Sequence, residues 1–80
     1  MTKSVNAEDL RRFLKEDLSI EETFGDEDPL FSSGLLDSVA MMSLITFIEE
    51  QTGGDVRPAD VTLDNFDSLT RITDYAATLV

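Results

Sequence analysis

Three stretches of this chain repeat apolar residues three or four positions apart, and none alternates them every second residue. That spacing lines one face of a helix and scatters over both faces of a strand, so it predicts an all-helical fold. The first stretch runs over about residues 7–18, with Leu10, Phe13, Leu14 and Leu18 in register, behind Asn6 as a helix cap and Glu8 and Asp9 in the first turn. The second, residues 38–52, is the strongest: Val39, Met42, Ile45 and Ile48, with Met41, Leu44 and Phe47 beside them, form a broad apolar face that ends at Gly53-Gly54. The last begins at a cap supplied by Asp67 or Ser68 and carries Leu69, Ile72, Tyr75, Ala76 and Leu79. Thr62–Phe66 reads as one short helical turn and residues 55–59, with Pro58, as a loop.

The expected architecture is a small four-helix bundle of three main helices and a short third one, in a single domain spanning residues 1–80. A long connection, Ser19 to Asp37, separates the first two helices. Leu30, Phe31, Leu35 and Leu36 should pin its second half to the core, and Asp28-Pro29 suits the start of one helical turn. Connections of this length tend to be functional or soft, and together with the short third helix this one is expected to be the most easily opened part of the fold.

A chain of 80 residues buries only about 60% of its unfolded surface, which leaves little room for a deep pocket. Cysteine and histidine are both absent, so the chain supplies neither a disulfide, nor a thiolate, nor an imidazole base. Seventeen acidic residues against six basic ones give a formal net charge of −11. Such a surface repels nucleic acid and anionic membranes and suits partners that present Lys and Arg. No apolar run is long enough to span a bilayer, and the first residues lack the apolar core of a signal peptide, so the expectation is a cytoplasmic protein, monomeric by reason of its charge. The acid run suggests calcium, but Asp26 to Asp37 fails as an EF-hand loop: Phe31 stands where the sharp turn needs glycine, and Asp37 where the bidentate glutamate belongs.

Asp37 and Ser38 fall where the strongest helix begins. By themselves they read as a helix cap. A helix start is also a seat for an anion, and a serine hydroxyl there is open to solvent. The run Asp28-Pro29-Leu30-Phe31-Ser32-Ser33-Gly34-Leu35-Leu36-Asp37-Ser38-Val39, with Asp60–Ser68 downstream, resembles the phosphopantetheine-binding acyl and peptidyl carrier proteins, and the likeness extends over nearly the whole chain. The resemblance implies that Ser38 accepts 4'-phosphopantetheine from coenzyme A through a separate phosphopantetheinyl transferase. It implies no catalytic residue and no resident metal. The arm's thiol would hold an acyl or aminoacyl group as a thioester, while Leu36, Asp37, Val39, Met41 and Met42 would meet the transferase and partner enzymes. Carriers of fatty-acid synthesis usually place acidic residues in the first turns of their second helix. Here those turns read Val39-Ala40-Met41-Met42-Ser43, which looks more like stand-alone carriers that work in specialised metabolism or with an adenylating ligase; the resemblance implies such a ligase, or an acyltransferase or synthase with a basic docking surface, as partner, and a fatty-acid-synthesis carrier is the alternative. A cofactor-free acidic module that docks a basic or apolar partner through Met41, Met42 and the loop is the reading of another class.

Overall fold

Capping chemistry sets the helix boundaries in the computed structural model, which describes residues 5–79. Asn6 Oδ1 accepts the Asp9 N–H at 2.7 Å and starts α1, Ala7–Glu16. Asp37 Oδ1 accepts the Ala40 N–H at 2.9 Å and starts α2, Ser38–Thr52. Gly53, at φ 77°, ends α2 in the left-handed conformation that glycine adopts without a Cβ clash. Gly54 has its own reason to be glycine: a Cβ there would stand 2.8 Å from the Leu79 carbonyl oxygen. A single 3-10 turn, Pro58–Asp60, follows in the stretch read as loop from sequence. Then come α3, Leu63–Phe66, and α4, Leu69–Ala77. Ser68 is the α4 cap, its hydroxyl accepting the Arg71 N–H at 3.1 Å.

The described residues are thus helical, with four α-helices and no strand. They are drawn into a Cα radius of gyration of 11.5 Å, the value expected of a compact domain this long. α4 packs on both α3 and α1. Leu10 and Leu14 of α1, Leu44 and Ile48 of α2, Phe66 of α3, and Leu69 and Ile72 of α4 are all fully buried together. Outside this core, the rings of Phe13 and Phe47 stack at 4.4 Å and join α1 to α2. Tyr75 donates its hydroxyl hydrogen to Asp60 at 2.8 Å, tying the 3-10 turn to α4. Burial, followed by that carboxylate's hydrogen bond and charge, pushes the Tyr75 phenol pKa up.

Three expectations need correction. Helix α1 ends at Glu16 rather than near residue 18. Leu18 N–H folds back to the Phe13 carbonyl and Ile20 N–H to the Leu14 carbonyl, through a left-handed Ser19 at φ 57°. The buried stripe of α2 is Ala40, Leu44, Ile48 and Thr52, four apart, whereas Val39 and Met42 are 71% and 69% exposed. Nearly every position of this helix is apolar, so periodicity alone does not say which face turns inward. Finally, Asp28-Pro29 starts hydrogen-bonded turns and no helix. Gly34, at φ 85°, donates its N–H to the Phe31 carbonyl, and Leu36 donates to the Leu30 carbonyl, which closes the chain too tightly for helical continuation.

Candidate functional site

The long connection delivers Ser38 to the surface, and Asp67 holds the connection in place. One oxygen of the Asp67 carboxylate accepts the Phe31 and Ser32 N–H groups at 2.7 and 2.9 Å, and the other accepts the Ser32 hydroxyl at 2.6 Å. Its backbone carbonyl accepts the Leu30 N–H at 2.8 Å. Burial pushes the Asp67 pKa up, but these hydrogen bonds outweigh it and hold the carboxyl below its ordinary value. Upstream, Thr70 N–H reaches the Asp26 carbonyl at 3.1 Å. Arg11 pairs with the Asp26 carboxylate, bonds the Phe24 carbonyl, and lies 5.0 Å over the Phe24 ring. Asp28 accepts the Gly25 N–H. Asp26 and Asp28, two acids of the run that could be mistaken for a cation loop, therefore each have their own structural partner.

From Leu30 the chain turns through Gly34, buries Leu36 and opens into α2. Asp37 does the capping, so Ser38 is the first helical residue and its side chain is spared that duty. Ser38 is exposed, and its hydroxyl makes no hydrogen bond among the described residues. Neither Ser38 nor Val39 donates its N–H to an acceptor there. These are the orphan donors of a helix start, where partial positive charge favours an anion. The first turn of α2 holds no acidic side chain, so the exposed Asp37 carboxylate is the nearest opposing charge in sequence. An alcohol oxygen on the surface beside free N–H groups fits esterification by a phosphate and fits no acid–base chemistry of its own.

The expected site residues do not all reach this surface. Asp37, Val39 and Met42 are exposed next to Ser38. Leu36 is only 4% exposed. Its side chain belongs to the core, where it anchors the loop end, and does not face a partner. Met41 is half-buried and packs against the core, the gap-filling role that methionine suits. Leu63 of α3, 51% exposed, is a further apolar surface residue that sequence reading passed over. An open cleft of about 390 Å³ also borders the site, lined by Leu18, Ile20, Gly34, Leu35, Leu36, Asp37, Val39 and Ala40. Sequence reasoning missed it, because its walls come from the two ends of the long connection and the start of α2.

The family model described as "phosphopantetheine attachment site" matches residues 8–76, from the first turn of α1 almost to the end of α4. No curated protein matches the chain.

Proposed function

The chain belongs to the phosphopantetheine attachment-site family, whose members are non-catalytic carriers with a covalent 4'-phosphopantetheine, and from that premise we propose that Ser38 is the attachment residue and that residues 1–80 form one carrier domain. The observation that carries this reading is the exposed, unpaired Ser38 hydroxyl at the first position of α2, inside the matched span.

In the proposed modification, the Ser38 hydroxyl oxygen bonds to the phosphorus of coenzyme A that bears pantetheine. The bond from that phosphorus to the bridging oxygen of the pyrophosphate breaks, and adenosine 3',5'-bisphosphate leaves with the electron pair. The serine proton passes to a base of the transferase, since this chain has no histidine or cysteine. The N–H groups of Ser38 and Val39 would then face the phosphodiester. Once attached, the group supplies a thiol that holds an acyl or aminoacyl load as a thioester. Asp37 holds the helix start and presents its carboxylate beside the serine, where it would help the transferase and its magnesium ion. Val39 and Met42 give partner enzymes an apolar contact.

For the partner that loads the arm, we favour an adenylating ligase over a fatty-acid synthase. Support comes from the acid-free first turn of α2 and its two exposed apolar side chains, a surface read by shape and apolar contact more than by charge. Incubating the protein with coenzyme A, magnesium and a broad-specificity transferase should add one phosphopantetheine unit by intact mass, mapped to the peptide containing Ser38. Absence of that gain, where a known carrier is modified in parallel, overturns the assignment. So does a gain on another residue.

A further inference from the structure

The seam between α1 and α2 lies outside the attachment chemistry. Phe13 and Phe47 stack across it, with ring centroids 4.4 Å apart and planes 21° from parallel, and both rings stay half-buried. An open groove of about 270 Å³ is lined by this pair. Asp9, Arg12, Phe13 and Glu16 recur three or four residues apart and so share one face of α1, while Asp17 is the last residue of that helix's cap. Gln51 stands one turn beyond Phe47 on α2. The lining therefore sets three carboxylates and one guanidinium around an aromatic pair. Arg12 lies 3.7 Å from Asp9, whereas Glu16 and Asp17 form no ion pair among the described residues. Both stand at the C-terminal end of α1, where the helix dipole is already negative and acids are disfavoured. A cation brought to this end of the groove would relieve that repulsion.

We propose that the groove is a second docking surface, which receives an arginine side chain presented by a partner protein. The mixed lining selects that occupant. A guanidinium stacks on an aromatic face and bonds carboxylates through two parallel N–H groups, and its aliphatic stem covers ring surface. Lysine, a strongly hydrated point charge, does the first two less well. The groove has room for roughly nine water-sized groups of about 30 Å³ each, the bulk of one long side chain. The protein makes the same combination once within its own fold, where Arg11 pairs with Asp26 and lies 5.0 Å over the Phe24 ring. Phe47 follows Ser38 by nine positions, about 14 Å along α2 at a rise of 1.5 Å per residue. A partner held here grips the domain away from the attachment serine and leaves it accessible.

Nuclear magnetic resonance titration with the peptide acetyl-Ala-Arg-Ala-amide at low salt tests the surface directly. Saturable shifts are expected at the Phe13 and Phe47 rings and at the Gln51 side-chain amide. The matching lysine peptide should bind several-fold more weakly, and the citrulline peptide, which keeps the shape and loses the charge, should leave these signals unmoved. Arg12→Gln removes the resident competitor and should tighten binding several-fold, a gain that loss of folding does not produce. Lys15→Gln makes the same charge change outside the groove and should tighten it less. Phe47→Leu and Asp17→Asn should each weaken binding several-fold. Shifts as large at Asp26–Asp28 as at the seam would mean general attraction to an acidic surface and overturn the proposal. Equal binding of the citrulline peptide overturns it too, as does an Arg12→Gln protein that binds no more tightly than Lys15→Gln.

Discussion

The Asp37 and Asp67 carboxylates and the Ser38 hydroxyl have separable duties. Because Asp37 and not Ser38 caps α2, Ser38→Ala is expected to abolish the proposed modification and change little else. Its stability should stay within about 0.5 kcal/mol of the parent by urea denaturation, as for surface positions without a special role, while the mass gain disappears. Asp37→Ala should cost about 1 kcal/mol, the usual loss for an N-cap. Asp67→Ala strands the Phe31 and Ser32 N–H groups it now satisfies, and its destabilisation is expected to be larger, about 1–3 kcal/mol. Should Asp67→Ala unfold at the same urea concentration as the parent, the latch assigned to it is wrong. Asp67 was visible in the sequence only as one of two candidate caps; its real partners lie about 35 positions away, and no local pattern reports them.

Among the elements, the connection between α1 and α2 behaves as two halves. Its second half is held by Asp67 and by the buried Leu30 and Leu36. Residues 21–23 are exposed and make no backbone hydrogen bond outside the helices among the described residues. Amide exchange is therefore expected to be fastest at Glu21–Thr23 and clearly slower at Leu30–Ser32, in keeping with a second half pinned to the core. The latch is also sensitive to acid. The Asp67 pKa is lowered in the folded protein from 3.8, so its contribution is complete above that value and is lost as pH falls through the lower folded value. Exchange protection of the Phe31 and Ser32 amides, corrected for intrinsic rate, should hold from neutrality to about pH 4 and fall below it. Protection that falls already between pH 7 and 5 would assign the loosening to another group.

At the level of the whole molecule, the −11 charge acts on encounter more than on fold. The ion pairs at Arg12–Asp9, Arg57–Asp60 and Arg71–Asp64 span 3.5 to 3.7 Å on exposed or partly exposed side chains and add little stability. The net field instead favours the approach of any basic surface, and salt screens it over about 10 Å at 0.1 M. The kcat/KM of the transferase for this protein should therefore fall several-fold as ionic strength rises, mainly through slower association. A salt-independent rate would mean that apolar contact through Val39 and Met42 governs docking alone. Among the described residues no helix is long and apolar enough to cross a membrane.

Sequence alone determined the helical class, the start and stop of α2, and the place of Ser38 at a helix start, because spacing, caps and terminal glycines act within a few residues of one another. Tertiary structure decided which face of α2 turns inward, since Ala40 rather than Val39 lies opposite the core. It alone buried Leu36, assigned the cap to Asp37, set Asp67 against the loop, and brought Leu18 and Ile20 beside Asp37 and Val39. These relations join residues distant along the chain. Their energies arise from packing and hydrogen bonds that exist only once the chain has closed, so local propensity carries no trace of them.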